Sequence, residues 1–366
     1  MVVLHIAGAG PAGAIAALCA RERGWRVHLH DPRVPSPGTL PPWPATYGSL
    51  VAELPGWARD FYSQPYSPRV YTHSAATLPH EYAMLNKPGL RAAVERSGAT
   101  ITSDPLPQGV SPVLDCTGAP TAGRVYWQVA VGYFLPLLPD ATTGPIFMDW
   151  STPTAGPPSF LYAQPTDRGY LWEETVLATR AAPEDLLDEL QSRLESRLDE
   201  HMPRWRESEM KREVVAIPMG TRERAFWRAA GSTYYFGAAG GMVNPATGYS
   251  VSPVFAQVDA MLDAIAGAGF SRRKALDAEA ARFLRCVGAE LISRADHATL
   301  RDFFAAFFRL DAQHQLGYLT GHSGRAVART MWELRKQTGF AHPFLRALWK
   351  NPRQVLLAAA GKARKS

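Results

Sequence analysis

The chain has 366 residues, of which 46% are hydrophobic and 20% charged. This composition excludes intrinsic disorder, because the apolar side chains can offset the entropy lost on folding, and the length favours one large α/β unit with a second region. Three widely spaced cysteines argue against a disulfide framework, and no metal site is expected. No apolar stretch reaches the roughly 18 residues of a spanning helix, and an apolar run that begins at residue 2 leaves no room for a signal peptide. We therefore expect a cytoplasmic protein.

The net charge of +6 comes from the C-terminal end of the chain. No acid follows Glu333, whereas eight bases do: Arg335, Lys336, Arg346, Lys350, Arg353, Lys362, Arg364 and Lys365. The rest of the chain has 31 bases and 33 acids. Because apolar residues such as Trp349 and Leu356 are interleaved with these bases, a segment that lies on an anionic membrane surface is favoured over a solvated tail or a nucleic-acid-binding arm.

The N-terminus has the pattern of a βαβ unit. Residues 2–7 predict a buried strand, a glycine cluster follows, and a predicted helix over 14–23 leads to a second strand over 25–30. The cluster matches the GxGxxG pattern of dinucleotide-binding proteins, and an acid follows the second strand at the expected place. The residues predicted to bind the cofactor here are Gly8, Ala9, Gly10, Pro11, Ala12, Gly13 and Asp31.

The glycines of this cluster each have a physical role. Gly8 permits the tight turn, Gly10 lets the backbone approach a pyrophosphate, and Gly13 lets the helix pack closely on the strand. The helix N-terminus offers N–H donors to the anion, and Asp31 is placed to accept hydrogen bonds from the adenosine ribose. The motif alone leaves FAD and NAD(P) open.

The middle of the chain predicts a sheet. Residues 34–48 are rich in proline and glycine and predict an irregular surface crossing. Short alternating runs then predict strands, which is typical of an antiparallel sheet beside the nucleotide-binding unit, where a substrate could lie. These runs are 69–72, 100–102, 126–131, 145–150, 159–164 and 169–178.

Residues 183–197 predict an amphipathic helix, and strands are predicted over 213–218 and 233–237. A second glycine-rich turn follows, before a predicted helix over 253–266. Flavoproteins whose nucleotide domain is interrupted by a substrate region close the flavin site with such a turn, which favours FAD; a plain glycine-rich hairpin is the alternative. The next helix would direct its N-terminus at the flavin and favour an anionic reduced ring. The residues predicted to bind the flavin are Gly237, Pro245, Ala246, Thr247, Gly248 and Tyr249.

Several motifs in order make the chain resemble the flavoprotein lycopene cyclases of bacteria and plants over nearly its whole length. The second turn, GAAGGMVNPATGYS from Gly237, is very similar to that of the family. The other matching segments are 43–48, 115–118, 126–130, 147–150, 217–220 and 300–308.

The segment LWEET at 171–175 resembles the FLEET box of that family. The first glutamate of the box is a catalytic acid/base there, so the resemblance assigns this role to Glu173. Adjacent strand residues point to opposite faces, so Glu173 and Glu174 are not expected to share a pocket. Apolar neighbours argue against an exposed acidic strand, and burial among them would keep the carboxyl protonated near neutrality. Asp149 is a second candidate catalytic acid, or a partner that orients Glu173.

Four aromatic residues near these acids are expected either to stabilise a carbocation through their ring faces or to pack in the core. They are Trp150, Tyr162, Tyr170 and Trp172. The chain departs from the family at Ser151, where the family has arginine, and at Thr221, where it has glycine. If that arginine compensates a buried carboxylate, Asp149 would titrate differently here.

The resemblance implies a flavin hydroxylase-like α/β architecture in three parts. A Rossmann-like FAD-binding domain is predicted over 1–68, 85–125 and 230–270. It is interrupted by a substrate-binding antiparallel β-sheet domain over 69–84 and 126–229. Residues 271–366 are predicted to form a helical C-terminal region with a basic, membrane-facing tail, in which an aromatic stripe over 303–308 would either meet the membrane or pack on the core.

The implied activity is lycopene β-cyclisation in carotenoid biosynthesis, an isomerisation of the ψ end group of lycopene or a related acyclic carotenoid to a β-ionone ring. Reduced FAD would act without net electron transfer, with NADPH as reductant, and the enzyme would lie on the inner face of the cell membrane. The alternatives are an FAD-dependent monooxygenase or reductase acting on a hydrophobic isoprenoid, and a non-catalytic flavin- or carotenoid-binding protein. The sequence leaves open β versus ε rings, one versus two cyclised ends, the role of the reduced flavin and the oligomeric state.

Overall fold

The computed structural model describes residues 1–119, 126–136, 144–202, 204–220, 225–321, 323–339 and 342–359. Thr221 and the last three bases of the tail, Lys362, Arg364 and Lys365, lie outside these residues.

The strands of the described residues are β1 (Val3–Ala7), β2 (Arg26–His30), β3 (Gly48–Leu50), β4 (Arg69–Tyr71), β5 (Ala75–Thr77), β6 (Tyr82–Met84), β7 (Thr100–Thr102), β8 (Val113–Asp115), β9 (Tyr126–Leu135), β10 (Ile146–Asp149), β11 (Phe160–Thr166), β12 (Gly169–Thr179), β13 (Lys211–Met219) and β14 (Thr233–Tyr235). Their α-helices are α1 (Pro11–Glu22), α2 (Lys87–Arg96), α3 (Leu187–His201), α4 (Val251–Asp263), α5 (Arg272–Ile292), α6 (His297–Phe307), α7 (Ala312–Thr320), α8 (Gly324–Thr338), α9 (Pro343–Lys350) and α10 (Pro352–Ala359).

The first sheet has five strands in the order β14-β8-β1-β2-β7, and all neighbouring strands are parallel. This order is that of a Rossmann-like unit, as the sequence predicted. Leu4 and Ile6 of β1 are fully buried, and α1 packs closely on the sheet because its buried face consists mostly of alanine and glycine. The carboxyl ends of β1 and β2 are adjacent, which places Asp31 beside the glycine cluster.

The second sheet has seven strands in the order β13-β9-β12-β11-β10-β4-β5. Its neighbours are antiparallel, as predicted for the middle of the chain, except that β10 and β4 run parallel. The predicted run 100–102 does not belong to it, because this run is β7 and pairs in parallel with β2 of the first sheet. A parallel pair needs a long crossover connection, and here the chain between β4 and β10 passes through the first sheet, at β7 and β8. The second sheet is therefore a mixed sheet with one parallel pair.

A short antiparallel ribbon joins the two parts of the chain that the sequence assigned to different domains. β3, in the predicted range 1–68, pairs with β6, in the predicted range 69–84. The strands of the five-stranded sheet all fall within the ranges predicted for the nucleotide domain. Those of the seven-stranded sheet fall within the ranges predicted for the substrate-binding domain, 69–84 and 126–229. The exact division into domains stays a prediction.

The helices follow the predicted segments with shifted ends. The helix predicted over 183–197 is α3, Leu187–His201, which follows a single 3-10 turn over Pro183–Asp185. Helices α5 to α10 form the C-terminal region. The aromatic stripe packs inward, because Phe303, Phe304 and Phe307 are all less than 10% exposed. Of the described helices, none combines the length and the hydropathy needed to span a bilayer.

Candidate active site

A cavity with about 1130 Å³ of empty space, its open mouth included, lies where the seven-stranded sheet, the turn before α4 and helix α6 meet. The sheet contributes Tyr162, Glu173 and Thr175, and the turn contributes the run 246–251. Helix α6 closes the cavity with the aromatic stripe. Five of the predicted site residues therefore share one space: Glu173, Ala246, Thr247, Gly248 and Tyr249.

Glu173 lies in a row of side chains that crosses four strands on one face of the sheet. On β12, Glu173 is paired with Tyr162 of β11 on one side and Gly132 of β9 on the other. Gly132 is in turn paired with Glu213 of β13. Thr175, two residues further along β12 and hence on the same face, donates a hydrogen bond from Oγ1 to Glu173 Oε1 at 2.9 Å.

The surroundings of Glu173 favour the protonated carboxyl. The side chain keeps some exposed surface, but that surface faces the apolar cavity. Burial raises the pKa of Glu173 to about 8; the charge of Glu213 adds to this rise, and the Thr175 hydrogen bond opposes it. At neutral pH Glu173 is therefore an acid that still carries its proton.

Glu213, in contrast, is held by an ion pair and several hydrogen bonds. Thr46 donates to it twice, from its backbone N–H to Oε1 and from Oγ1 to Oε2, each at 2.9 Å. The guanidinium of Arg168 donates to Oε2 at 2.6 Å. The buried ammonium of Lys87 donates to the backbone carbonyls of residues 43 and 45 and so holds the loop that carries Thr46. A fixed negative charge thus stands near Glu173 on the same face of the sheet.

Asp149 lies on the other face of this sheet and does not line the cavity. It is paired with Leu161, which is paired with Glu174, so these residues form a row that points away from Glu173. Arg197 of α3 lies between the two acids, with Nε 2.8 Å from Glu174 Oε2 and an Nη 3.6 Å from Asp149 Oδ2. The geometry therefore does not support the prediction that Asp149 acts on the substrate or orients Glu173.

Arg197 also explains how the chain tolerates serine at 151. Ser151 contributes only its backbone N–H, which donates to Asp149 Oδ1 at 2.7 Å. The positive charge that a buried carboxylate needs comes instead from Arg197, which is 3% exposed. Position 221, the other departure from the family, lies outside the described residues.

Of the four predicted aromatic candidates, the structure brings only Tyr162 to the cavity. Tyr170 and Trp172 pack in a separate core with α3, because they share the face of Glu174. Trp150 lies behind the cavity wall, stacked on Phe304 with ring centroids 5.3 Å apart. The positions of Trp150, Tyr170 and Trp172 therefore support the other expected role, packing in the core.

Sequence reasoning missed Tyr82, which lines the cavity beside Tyr162. The two hydroxyls are 3.1 Å apart, and the rings meet edge to face. Tyr82 is also close to Tyr249, with ring centroids 6.5 Å apart. Gly48 of β3 is required here, because a Cβ at that position would overlap the Tyr82 hydroxyl. Tyr82 belongs to none of the segments that resemble the family, whereas Gly48 ends the segment 43–48.

The glycine cluster after β1 has the shape of a nucleotide cradle. Gly8 has φ of +97°, and a Cβ there would lie 2.6 Å from the carbonyl oxygen of Cys116. A Cβ on Gly13 would overlap the carbonyl of Gly8. A Cβ on Gly10, by contrast, would meet no atom within 4 Å. The open space in front of the α1 N-terminus therefore fits a pyrophosphate.

Asp31 lies at this cradle but already accepts four hydrogen bonds. One comes from the backbone N–H of Ala9 at 2.8 Å, and three come from Arg33. Hydrogen bonds from both residues hold the pKa of Asp31 at about 2, against the opposing effect of burial. Because these bonds occupy the carboxylate, a ribose hydroxyl can reach Asp31 only if the Arg33 guanidinium moves aside. The Arg33 side chain is 62% exposed, so the surrounding protein leaves it room to move.

The turn before α4 packs directly on the first glycine cluster. Gly237 has φ of +61°, and a Cβ there would overlap the methyl group of Ala12. Buried Asn244 shapes the rest of the turn: its Oδ1 accepts from the N–H of Ala246 at 3.0 Å, and its backbone carbonyl accepts from Gly248 at 2.8 Å. The two glycine-rich motifs thus form one continuous surface, although Gly237 and Pro245 do not themselves line the cavity.

The comparisons with known proteins agree over most of the chain. The family model described as lycopene cyclase protein matches residues 101–327. A protein of Deinococcus radiodurans named uncharacterized carotenoid cyclase is 30% identical, with 97% of this chain and 96% of the relative aligned. This chain belongs to the lycopene cyclase family. The chloroplastic lycopene beta cyclase of Nicotiana tabacum is 26% identical over 87% of this chain and 74% of that protein.

Solved flavoenzymes share the fold of this cyclase family member at low sequence identity. A flavoprotein/dehydrogenase from Cytophaga hutchinsonii gives a TM-score of 0.55 at 12% identity, covering 94% of this chain and 96% of its own. The p-nitrophenol 4-monooxygenase PnpA from Pseudomonas putida gives 0.51 at 16% identity, with both chains fully covered. A variant of the halogenase PltM in complex with FAD also gives 0.51, at 13% identity, covering 98% of this chain and 94% of its own. The predicted flavoenzyme architecture is confirmed.

Proposed function

We propose that this protein cyclises the ψ end group of lycopene, or of a related acyclic carotenoid, to a β-ionone ring. The observation that carries the proposal is Glu173, a carboxyl that stays protonated near neutrality on the wall of a large apolar cavity. A carboxyl can donate a proton only while it is undissociated, and a site that excludes water protects the resulting cation from hydration. Family membership supports the same substrate class.

In the proposed reaction, Glu173 donates its proton to the terminal double bond of the end group, which leaves a tertiary carbocation. The neighbouring double bond attacks this cation, a carbon–carbon bond closes the six-membered ring, and the positive charge moves to a ring carbon. Loss of an adjacent ring proton to the Glu173 carboxylate forms the new double bond. One proton enters and one leaves, so the product is an isomer of the substrate and no electrons are consumed.

The cavity supports such a cation without quenching it. Tyr82 and Tyr162 present ring surfaces beside Glu173, and each cation–π contact contributes roughly 0.5–2 kcal/mol. The fixed charge of Glu213 lies on the same face and favours positive charge nearby. The remaining walls are largely apolar, which keeps water away from the cation.

We propose FAD as the resident cofactor, because the open space before Gly10 fits its pyrophosphate and the turn over 246–249 fits its ring system. Gly8, Gly10, Gly13 and the α1 N-terminus would hold the pyrophosphate, and Asp31 would hold the ribose once Arg33 moves. When bound and reduced, with NADPH as the donor, the flavin supplies an electron-rich ring beside the cavity.

We also propose that the protein takes its substrate from a membrane through α8 and α10. Trp332 is 55% exposed, and Leu356 and Leu357 are 43% and 45% exposed, among the bases of the C-terminal region. Exposed apolar residues beside bases suit an anionic bilayer surface. We expect the protein to sediment with vesicles containing anionic lipid, and Trp332→Ser to sediment less. Sedimentation that is independent of both lipid charge and Trp332 would contradict this binding mode.

The activity is tested by incubating the dithionite-reduced, FAD-loaded protein with lycopene in liposomes. A cyclic product of unchanged mass is the expected result. A parallel aerobic assay, with NADPH in place of dithionite, tests the alternatives: a product of changed mass with net NADPH consumption would indicate a monooxygenase or reductase. Recovery of unchanged lycopene in both assays would indicate a binding protein. Glu173→Gln should abolish cyclisation while FAD stays bound, whereas Glu209→Gln, at an exposed acid, should retain it.

A further inference from the structure

A second cavity, with about 420 Å³ of empty space when its open mouth is included, adjoins the candidate active site within the helical C-terminal region. Phe303 and Tyr318 line both cavities and form the wall between them. The far side of the second cavity is formed by α5, α8 and the start of α9, with Met331 and Leu334 among the lining residues. Its walls are mainly apolar, so it suits a hydrocarbon better than a polar ligand.

The proposed substrate needs such a second space. A forty-carbon acyclic carotenoid is a stiff rod, because its conjugated double bonds resist rotation. When one end group lies against Glu173, the rest of the chain cannot fold back into the same cavity and must leave it through an apolar passage. The second cavity lies across Phe303 and Tyr318 from the first and extends to α8, the helix that carries exposed Trp332.

A third cavity of similar volume also borders the first, at Leu177 and Ile292, but it suits the polyene less well. It lies between β12 and α5, and its exposed lining is about as polar as apolar. It has no lining residue on α8, α9 or α10 among those described. The exposed lining of the second cavity is mostly apolar, although Arg335, Thr338 and His342 contribute to it. The second cavity is therefore the better candidate for the apolar space that leads the polyene toward helices α8 to α10.

We propose that the second cavity binds the polyene chain beyond the reacting end group, so that the two cavities form one substrate channel. This inference rests on the proposed function for the identity of the substrate. The neck of the channel is Phe303, which is stacked on Phe344 of α9 with ring centroids 3.9 Å apart. Gly288 keeps the other side of the neck in place, because a Cβ there would overlap the hydroxyl of Tyr318.

The test is to fill the second cavity without touching the first. Met331→Trp places a larger side chain in the channel from α8, and Thr338→Phe does so from the next turns of the same helix. Gln337→Trp is the matched control, since Gln337 is exposed on the same helix and outside the cavity. FAD content and thermal unfolding of each variant show whether it is folded.

The readout is the binding of lycopene, supplied in nonionic detergent micelles, as the lycopene that co-elutes with the protein. Both filling variants should bind about tenfold more weakly or worse, because the lost apolar contacts equal several methylene groups, while Gln337→Trp should bind like the unmodified protein. Unchanged affinity for lycopene in folded Met331→Trp and Thr338→Phe would overturn the proposed channel even if cyclisation occurs.

The absence of lycopene binding by the unmodified protein would overturn the proposed channel as well. A protein that binds but does not cyclise lycopene, with the binding sensitive to Met331→Trp, would keep the channel and reject only the proposed reaction.

Discussion

Glu173 and Glu213 lie on the same face of the seven-stranded sheet, one on each side of Gly132. Gly132 places no side chain between them, and a Cβ there would press against the Leu171 side chain at 2.8 Å. Glu213 is neutralised in part by Arg168, yet its charge still raises the pKa of Glu173. Two identical side chains on one face therefore have different surroundings: burial raises the pKa of Glu173, whereas Glu213 is paired with Arg168.

Replacing Glu213 with glutamine should lower the pKa of Glu173. The substitution removes a negative charge and leaves Arg168 without its carboxylate, and both changes favour the ionised form of Glu173. The alkaline limb of the activity profile, expected near pH 8, should then move to lower pH by roughly half a unit. Cyclisation rates from about pH 6 to about pH 9, on both sides of the expected limb, measure the shift. Glu209→Gln should leave the limb in place, and an unmoved limb in Glu213→Gln would remove Glu213 from this role.

Replacing Glu173 with glutamine should make stability less dependent on pH. Burial raises the pKa of this group from 4.5 in the unfolded chain to about 8 in the folded protein, so the protein binds the proton more tightly than the unfolded chain does. The contribution to stability is complete below pH 4.5 and is lost as the pH rises toward 8. Urea unfolding of both proteins at several pH values between these limits should show the steeper decline in the unmodified protein. Parallel curves would mean that Glu173 is not perturbed by folding.

Gly10 and Gly13 should respond differently to alanine. The methyl group of Gly10→Ala enters open space, so the fold should keep its stability while FAD binding is lost. In Gly13→Ala the methyl group overlaps the Gly8 carbonyl, so the protein itself should be destabilised. Thermal unfolding without added FAD, together with FAD titration, separates the two effects. Tight FAD binding by Gly10→Ala would show that the pyrophosphate lies elsewhere.

Arg197→Met should destabilise the protein strongly without changing the reacting group. It leaves the carboxylates of Glu174 and Asp149 buried without their cation, which costs about 3–5 kcal/mol for a buried pair. Arg204→Met, which removes an exposed ion pair with Glu207, is the control and should have little effect. The free energy of unfolding in urea measures both. Because Arg197 lies behind the sheet, the folded fraction of Arg197→Met should keep the same alkaline limb of activity.

Much of the site follows from local patterns in the sequence. The glycine spacing at Gly8, Gly10 and Gly13 predicts a tight turn between a strand and a helix, because each glycine meets a requirement of the neighbouring few residues. The alternation of a strand likewise predicts that Glu173 and Glu174 point to opposite faces, and the registers with Tyr162 and Leu161 agree. These features depend on backbone geometry within one or two elements.

The sequence by itself determined the nucleotide-binding unit and the placement of Glu173 and Glu174 on opposite faces, because both follow from periods and turns within short stretches of chain. Only the tertiary structure decided which acids accompany Glu173. Asp149 is closer to it in the sequence but is turned to the opposite face, beside Arg197, whereas Glu213 is brought onto its face from the edge strand β13. Strand order and register join residues that are distant along the chain, and no local pattern encodes that pairing.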